Sequence, residues 1–463
     1  MADYDYDLVI VGAGPGGYVS AIRAAQLGLK SVVVEKEAPG GVCLNWGCIP
    51  SKSLIHQAEI AHYAEDLKKM GASVDLTGVD YKNVHKKSRD AAGKLSKGVQ
   101  SLLKRNKVDY VEGTATFSGP HEIDVDGKKK ITGKNIMIAT GSRSKQIPGF
   151  ESDGKKIMSS REILDITTLP KKLIILGAGA IGMEFAYVMN SFGVEVTVVE
   201  MLDQLLPLED ADAVEVITKA FKRYGITTMT GTKAKSVDKK GKGLRLTVEK
   251  SDGQEETLSA DMLLVAVGRT PNTEEIGLET VGVKTERGFI TVGDYFQTSV
   301  SGIYAIGDVT SSPLLAHVAS KEGEIAVEHI AGHNPEPTID PDLIPSAVYC
   351  QPEIGSFGVS EKVAKERGLN YEVASFPYRG AGKSVAVEKS EGIVKLVYAK
   401  DTREILGAHV AGHNATELIH ELLLAKKAEL LPEDIATMVH AHPTLSEAVM
   451  EGARVAEGWA IHI

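Results

Sequence analysis

The sequence predicts an α/β fold with two Rossmann-like domains, followed by an α+β domain at the C-terminus. Three observations support this prediction. A βαβ unit with a glycine-rich turn opens the chain, a second copy of the unit begins near residue 172, and the segment from residue 347 onward mixes strands with helices. The apolar, β-branched strands of the two units are typical of a buried parallel sheet.

Length and composition bound the class of protein. A chain of 463 residues has room for about three domains. Its contents of 43% hydrophobic and 25% charged residues are typical of a globular protein. The net charge of −10 argues against non-specific binding to nucleic acid. We therefore expect no nucleic-acid partner.

The sequence contains no recognisable membrane or targeting segment. No apolar run approaches the roughly 20 residues that a membrane-spanning helix needs. Residues 1–7 are acidic, with neither the basic and apolar regions of a secretory signal nor an Arg-rich amphipathic stretch. We expect a cytoplasmic protein, or one of the mitochondrial matrix if this is a processed form.

The first βαβ unit contains the complete G-x-G-x-x-G pattern. A strand at residues 7–11 precedes the turn, a helix is predicted over residues 18–28, and a second strand over residues 31–35 ends in Glu35. The three glycines of the turn are Gly12, Gly14 and Gly17. A glycine pattern alone is a weak signal, but the strand, the helix and the acid at this spacing together indicate a dinucleotide site.

The second unit repeats the first position by position. Its strand at residues 172–176 is followed by a turn, by a helix that reaches about residue 192, and by a strand that ends in Glu200. The glycines of this turn are Gly177, Gly179 and Gly182. In both copies the acid stands 23 residues after the first glycine. We interpret this as an internal duplication of a nucleotide-binding unit.

Each residue type in these units has a physical role in binding a dinucleotide. The glycines allow the tight turn, the close approach of a pyrophosphate and the packing of helix against strand, and the helix N-terminus faces the phosphates. Glu35 and Glu200 would accept hydrogen bonds from ribose hydroxyls. Because a carboxylate repels a 2′-phosphate and no Arg or Lys follows Glu200 in residues 201–203, the second site is predicted to prefer NAD over NADP.

A cysteine pair follows the first unit directly. Cys43 and Cys48 stand five residues apart, with Gly47 between them. Pro50 suits the first turn of a helix, so Cys48 would lie near the helix N-terminus, where a thiolate is favoured. Lys52 adds a positive charge about one turn further on. Two cysteines without a neighbouring His or Cys make a poor zinc site, so no metal is expected.

Redox chemistry is the leading interpretation of this pair. The alternative is two free cysteines in a core, which is the common environment of this residue. The surrounding glycines and Asn45 argue against a core strand. The third cysteine, Cys350, has no partner nearby in the sequence, and we expect it to be structural.

Two histidines near the C-terminus are candidates for an acid–base role. Thiol–disulfide exchange needs a base that generates the attacking thiolate, and imidazole is suited to this near neutral pH. In an extended stretch, His440 and His442 would point the same way, so chemistry and geometry leave either as the base. A carboxylate can then orient the imidazole and stabilise the imidazolium.

The G-G-x-C-x-N-x-G-C-I-P-S-K segment at residues 40–52 resembles that of the class I flavoprotein disulfide reductases, which are pyridine nucleotide–disulfide oxidoreductases. The resemblance extends over the whole chain. It implies FAD on the first unit and NAD on the second, an ion pair between Lys52 and Glu184 near the flavin, and Gly268 beside the nicotinamide nucleotide. The FAD contacts that it implies beyond the first glycine turn are Glu35, Lys52, Gly113, Ala139, Thr140, Gly141, Asp308 and Ala316.

The resemblance also selects one histidine. The family pattern His-Pro-Thr-x-x-Glu falls on His442 and Glu447, which implies that His442 is the base and Glu447 its orienting partner, with His440 in a supporting role. Members of the family are homodimers, in which this histidine serves the disulfide of the other subunit. The final segment would therefore be a dimerisation domain.

Within the family, the chain is most similar to the dihydrolipoamide dehydrogenases. The predicted NAD preference argues against glutathione and trypanothione reductases, and the C-terminus lacks the cysteine pair of mercuric reductase. The resemblance implies oxidation of dihydrolipoyl groups through Cys43, Cys48 and FAD, with lipoyl domains of 2-oxo acid dehydrogenase E2 subunits or the glycine cleavage H protein as partners. Another disulfide reductase of the family and an NADH oxidase remain alternatives, and a non-catalytic flavoprotein is disfavoured because the cysteines and His442 are present.

These considerations divide the chain into four segments. Pro170 and a proline-rich stretch near residues 335–345 mark two of the boundary regions. The expected segments are an FAD domain at 1–150, an NAD domain at 151–278, a central segment at 279–346 that completes the FAD domain, and an interface domain at 347–463.

Overall fold

The computed structural model describes residues 4–463, apart from the side chain of Glu65. Of the acidic N-terminal residues 1–7 considered above, residues 1–3 lie outside this range. Within the described range, none of the helices is both long and apolar enough to cross a membrane.

The first domain is built on a sheet with the strand order β3-β2-β1-β6-β5-β4. Strand β1 pairs in parallel with β2 and with β6, so the opening βαβ unit forms as predicted. The elements of this part are β1 (Tyr6–Val11), α1 (Pro15–Gln26), β2 (Ser31–Glu35), α2 (Gly41–Trp46), α3 (Cys48–Lys69), α4 (Tyr81–Arg105), β3 (Asp109–Glu112), β4 (Ala115–Gly119), β5 (Glu122–Val125), β6 (Lys129–Ile138) and β7 (Ser142–Ser144).

Residues 48–105 are largely helical and form two helices, α3 and α4. Helix α3 ends at Lys69, and Gly71 follows in the left-handed region with φ of 90°. Helix α4 begins after Asp80, whose carboxylate accepts a hydrogen bond from the Lys82 amide at 2.9 Å. Helix α4 packs against both α2 and α3, the two helices that carry the cysteines.

The second domain contains a parallel sheet with the order β11-β10-β9-β15-β8 and a three-stranded antiparallel sheet, β12-β13-β14. Its elements are β8 (Ile157–Met158), α5 (Ser160–Ile163), β9 (Lys172–Leu176), α6 (Ala180–Ser191), β10 (Glu195–Val199), α7 (Ala211–Arg223), β11 (Thr227–Met229), β12 (Thr232–Asp238), β13 (Leu244–Lys250), β14 (Glu255–Ala260) and β15 (Met262–Val265). Strand β15 ends at Val265, and Gly268 follows with φ of 118°.

The central segment returns to the first domain. Strand β19 pairs in parallel with β6, and β16 pairs antiparallel with β7. Its elements are β16 (Arg269–Pro271), α8 (Leu278–Val281), β17 (Thr285–Glu286), β18 (Phe289–Ile290), β19 (Ile303–Ala305) and α9 (Ala316–Ile330), with 3₁₀ turns at Asp294–Phe296 and Gly307–Val309. A Cβ on Gly323 of α9 would lie 2.1 Å from the Ser20 Oγ of α1, so a glycine is needed where these helices cross.

The C-terminal domain is α+β, with an antiparallel sheet in the order β20-β21-β24-β23-β22. Its elements are β20 (Ser346–Val348), β21 (Glu353–Gly358), α10 (Glu361–Glu366), β22 (Tyr371–Pro377), α11 (Gly382–Ala386), β23 (Gly392–Ala399), β24 (Ile405–Gly412), α12 (Ala415–Lys427), α13 (Pro432–Thr437) and α14 (Ser446–Ala456), with 3₁₀ turns at Pro341–Leu343 and Tyr378–Gly380. The architecture confirms the predicted fold class, while the segment limits at 150, 278 and 346 remain predictions.

A buried ion network joins the second domain to the C-terminal domain. Lys395 on β23 has a side chain that is 2% exposed, and its Nζ lies 2.9 Å from Asp210, 2.6 Å from Asp212 and 3.0 Å from Glu361. Burial would lower the pKa of Lys395, but the three carboxylates outweigh it and raise the pKa. Because Asp210 and Asp212 begin α7, this network fixes the start of that helix against the C-terminal sheet.

Candidate functional site

The two redox-candidate cysteines lie at a junction between helices. Cys43 is in α2, Cys48 is the first residue of α3, and Gly47 joins the two helices. Both are free thiols in the structure and both are partly buried. The five-residue spacing therefore brings the two sulfur atoms together at the N-terminus of α3, where unpaired backbone amides favour a thiolate.

The two thiols have different acidities. A hydrogen bond from Cys43 lowers the pKa of Cys48 from 9.0 to about 7, and the charge of Lys52 contributes in the same direction against the effect of burial. The same hydrogen bond raises the pKa of Cys43, as does its burial. Of the two thiols, Cys48 is therefore the one that ionises near neutral pH, while Cys43 keeps its proton.

Lys52 and Glu184 form an ion pair between the two Rossmann-like domains. The Lys52 Nζ lies 2.9 Å from each carboxylate oxygen of Glu184, which is on α6. The ammonium also lies 4.3 Å from the ring centre of Tyr349, whose backbone amide donates to Glu184 at 3.3 Å. Burial would lower the pKa of Lys52, but Glu184 raises it, so the ammonium beside Cys48 stays charged.

Trp46 and its two arginine contacts were not anticipated from the sequence. Trp46 lies between the cysteines at the end of α2, and its ring centre is 5.2 Å from the Arg89 guanidinium and 4.4 Å from that of Arg161. Arg161 also pairs with Glu37 at 3.1 Å. The only signal in the sequence was the tryptophan inside the cysteine motif. Its contacts fix α2 against α4 and α5.

The first glycine turn has the shape that a dinucleotide needs. Gly12 has φ of 105°, and a Cβ there would lie 2.3 Å from the Ala139 carbonyl oxygen. A Cβ on Gly17 would lie 1.9 Å from the Gly12 carbonyl oxygen. Gly14 is the N-cap residue of α1 and forms no side-chain hydrogen bond there. A Cβ on Gly41 would lie 2.7 Å from the Cα of Gly14. The turn therefore leaves room above the amides of α1 for a phosphate.

The second glycine turn repeats this geometry. Gly177 has φ of 98°, a Cβ on Gly182 would lie 2.0 Å from the Gly177 carbonyl oxygen, and Gly179 caps α6 without a side-chain bond. Gly268 has φ of 118° and no atom within 4 Å of a Cβ position, so it lies at an open edge of this site. The two turns can each hold a dinucleotide pyrophosphate.

The acids that end the two units also occupy equivalent positions. The Glu35 carboxylate accepts hydrogen bonds from the amides of Ala13 at 2.7 Å and Glu37 at 2.8 Å. The Glu200 carboxylate accepts from the amides of Ala178 at 2.7 Å and Leu202 at 2.9 Å. Each carboxylate is therefore fixed to its own glycine turn and retains lone pairs that ribose hydroxyls could use.

The other predicted FAD contacts surround the first turn. The Ala139 amide donates to the Val11 carbonyl at 2.8 Å, and the Gly113 amide donates to the Glu35 carbonyl at 2.9 Å. Asn272 bonds the backbone of the neighbouring Thr140–Gly141 pair, because its side chain donates to the Thr140 carbonyl and its amide to the Gly141 carbonyl, both at 2.9 Å. Ala316 is the first residue of α9, the helix that packs on α1.

Asp308 lies in the 3₁₀ turn after β19 and is already paired within the chain. Its carboxylate accepts a short hydrogen bond from Ser142 and lies 3.4 Å from the Arg269 Nε. Arg269 also donates to the Ser142 side chain at 2.6 Å. Ser142 and Arg269 were not predicted, since nothing in either local sequence links positions so far apart.

His442 and Glu447 are in contact. The His442 Nδ1 lies 2.9 Å from the Glu447 carboxylate, which also accepts from the Thr444 amide at 2.9 Å. Burial would raise the pKa of Glu447, but the Thr444 amide and the hydrogen bond and charge of His442 lower it. The His442 side chain is 76% exposed. The ring is therefore oriented through one nitrogen, while the other faces outward.

His440 and His442 do not point the same way, contrary to the expectation for an extended segment. The His440 side chain is 3% exposed and its Nε2 lies 2.8 Å from Glu421. Its Nδ1 contacts the Met438 carbonyl at 3.2 Å. The backbone turn into α14 separates the two faces, which leaves His442 as the histidine of this segment with a nitrogen accessible for proton exchange.

Comparison with known proteins places these features in a family. Residues 6–323 match the pyridine nucleotide-disulphide oxidoreductase domain, and residues 344–453 match the dimerisation domain of pyridine nucleotide-disulphide oxidoreductases. Together the two matches cover both Rossmann-like domains and most of the C-terminal domain.

Full-length relatives agree with this assignment. The chain is 46% identical to the dihydrolipoyl dehydrogenase of Corynebacterium glutamicum and 43% identical to that of Bacillus subtilis, with 99% of each chain aligned. It is also 43% identical to the mitochondrial dihydrolipoyl dehydrogenase of Pisum sativum, over 99% of this chain and 92% of the relative.

Solved structures show the same fold. LpdA from Mycobacterium tuberculosis superposes with a TM-score of 0.89 at 29% identity, covering 96% of this chain and 98% of that one. The HOCl-induced flavoprotein disulfide reductase RclA from Escherichia coli has a TM-score of 0.86 at 26% identity, with the same coverage of 96% and 98%. The chain therefore belongs to the pyridine nucleotide-disulphide oxidoreductase family.

Proposed function

We propose that this protein is a dihydrolipoyl dehydrogenase that oxidises dihydrolipoyl groups and reduces NAD⁺ to NADH. The observation that carries the proposal is the Cys43–Cys48 pair at the N-terminus of α3, beside a charged Lys52. The same chain contains two glycine turns whose geometry suits the binding of a dinucleotide. The full-length relatives named dihydrolipoyl dehydrogenase support the choice of substrate.

The difference in thiol acidity gives the direction of sulfur exchange. A substrate thiolate attacks the Cys43 sulfur of the Cys43–Cys48 disulfide, and Cys48 leaves as a thiolate. Cys48 is the better leaving group because the charge of Lys52 lowers the pKa of its thiol. The second substrate thiolate then attacks the sulfur bound to Cys43, which releases the oxidised lipoyl disulfide. Cys43 takes up a proton because its own pKa is raised.

His442 is the base that generates the attacking thiolates. Glu447 accepts from the Nδ1 hydrogen and so presents the other ring nitrogen, Nε2, as the proton acceptor. The resulting imidazolium is stabilised by the same carboxylate. In a homodimer held together by the C-terminal domains, this exposed imidazole serves the cysteine pair of the partner subunit.

FAD and NAD⁺ are the cofactors. The first glycine turn, Glu35, Lys52 and Asp308 would hold FAD, while the second glycine turn, Glu200 and Gly268 would hold NAD⁺. Together the two cofactors would supply the oxidant that takes the electron pair of the two thiols and restores the disulfide. The Lys52 ammonium, which is paired with Glu184, stabilises the Cys48 thiolate through its positive charge.

The partners follow from the substrate. A dihydrolipoyl group attached to a protein requires a site open to a macromolecule, so we propose lipoyl domains of 2-oxo acid dehydrogenase E2 subunits or the glycine cleavage H protein as the substrates in the cell. The location is the cytoplasm, or the mitochondrial matrix for a processed chain; the relatives include both bacterial and mitochondrial proteins.

The test is turnover of dihydrolipoamide with NAD⁺ by the FAD-bound protein, followed as NADH absorbance. We expect turnover that is lost in Cys48→Ser and retained in Cys350→Ser, because Cys350 is fully buried away from solvent. Absence of turnover in a protein that retains FAD would reject the substrate. Oxidised glutathione and mercuric ion, each with NADH or NADPH, would then be compared.

A further inference from the structure

Two histidine–glutamate pairs lie side by side in the segment before α14, in opposite environments. His442 pairs with Glu447, and its side chain is 76% exposed. His440 pairs with Glu421, and its side chain is 3% exposed. The first pair leaves one imidazole nitrogen accessible. The second uses both nitrogens, because Nδ1 faces the Met438 carbonyl at 3.2 Å and Nε2 faces the Glu421 carboxylate at 2.8 Å.

Both partners of His440 are hydrogen-bond acceptors. The Met438 carbonyl faces Nδ1 and the Glu421 carboxylate faces Nε2. Because the side chain is also 3% exposed, neither nitrogen is open to a substrate.

This pair connects elements that are distant in sequence. Glu421 is on α12, whereas His440 lies in the connection between α13 and α14. The hydrogen bond therefore fixes the backbone two residues before His442 to a helix of the C-terminal sheet. Its charge also reaches the catalytic pair, since His440 contributes to lowering the pKa of Glu447, after the Thr444 amide and His442.

We propose that His440 is a positioning residue for the reaction, held in place by Glu421 and the Met438 carbonyl, and that this arrangement leaves His442 as the proton acceptor of the segment. The proposal rests on the proposed function, in which His442 is the base. The His440 ring contacts neither substrate nor cofactor in this role. It acts by fixing the backbone and by stabilising the ionised Glu447.

The hydrogen bond between His440 and Glu421 can be tested without turnover. In the FAD-bound protein labelled with ¹⁵N-histidine, two-bond ¹H–¹⁵N correlation spectra show which ring nitrogen carries a hydrogen, and His440→Gln identifies the His440 signals. We expect Nε2 of His440 to carry a hydrogen that it donates to the Glu421 carboxylate. In Glu421→Gln, this hydrogen should exchange with solvent more rapidly. A bare Nε2 in the unmodified protein at neutral pH would overturn the proposal.

Kinetics test the positioning role. Glu421→Gln and His440→Gln are expected to lower kcat for dihydrolipoamide by about ten- to a hundredfold with little change in KM, as expected for a displaced base. Glu417→Gln, an exposed glutamate one turn earlier on α12, is the matched control and should keep the full kcat. Unchanged kcat in both test variants would refute the role. If the unmodified protein oxidises no dihydrolipoamide, the proposed function fails while the spectra still decide the state of His440.

Discussion

Replacing Cys43 tests whether its hydrogen bond sets the acidity of Cys48. In the reduced, FAD-bound protein, Cys43→Ala removes the donor, whereas Cys43→Ser keeps a hydroxyl that can donate. A hydrogen bond to a charged group contributes about 1.5–3 kcal/mol, which is about one to two pH units at 1.36 kcal/mol each. The pKa of Cys48, lowered to about 7 with this bond in place, should therefore move back toward 9.0 in the alanine variant.

The assay is the rate of alkylation of Cys48 by iodoacetamide as a function of pH, since only the thiolate reacts. Cys350 does not interfere because its side chain is fully buried. The sign follows from the direction of the pKa change: a lowered pKa keeps Cys48 ionised at a lower pH, so the alkylation midpoint rises in Cys43→Ala and stays low in Cys43→Ser. Equal midpoints in the two variants would refute the argument and assign the acidity of Cys48 to Lys52 and the helix N-terminus.

Three further perturbations test other parts of the site. His442→Gln should lower kcat for dihydrolipoamide by about 10²- to 10⁴-fold, while stopped-flow reduction of the flavin by NADH, which needs no imidazole, stays unchanged; slower flavin reduction would contradict the assigned role. The unmodified protein should favour NAD⁺ over NADP⁺ by about a hundredfold in kcat/KM, because Glu200 repels a 2′-phosphate, and Glu200→Ala should reduce the preference; an initial preference for NADP⁺ would show the second site to be misassigned. Lys395→Met should lower the free energy of unfolding by about 3–5 kcal/mol in urea denaturation, because Asp210 is left 2% exposed without its cation. The matched change Lys400→Met breaks an exposed pair with Glu372 and should cost less than about 1 kcal/mol, so equal losses would argue against a structural role for the network.

Local patterns in the sequence predicted the parts of the fold that local physics determines. A glycine turn between a buried strand and a helix, with an acid at a fixed distance, has one common structural solution, so both βαβ units could be located from these local signals together. The start of α3 at Cys48 followed from Pro50 and the preceding glycine. The buried, non-reactive environment of Cys350 followed from the absence of a partner.

Contacts between distant segments could not be predicted in this way. The pairing of Asp308 with Ser142 and Arg269 depends on strands β7 and β16 lying next to the 3₁₀ turn after β19. No local pattern in the sequence predicts that these segments come together. The contrast between His440 and His442 depends on Glu421, which a helix in a different layer supplies. Trp46 was visible in the cysteine motif, but the arginines that contact it come from α4 and α5, and no local pattern connects them.

The ion pair between Lys52 and Glu184 has a consequence for recombining domains within this family. Lys52 is on α3 and Glu184 is on α6, the helix that follows the second glycine turn, so the acidity of Cys48 depends on a residue that a different domain contributes. Exchanging residues 151–278 for the equivalent segment of a relative would alter nucleotide preference and thiol reactivity together unless the incoming segment also carries an acid at position 184. The two Rossmann-like domains have separate sheets, but the Lys52–Glu184 ion pair makes the thiol chemistry of the first depend on a residue of the second.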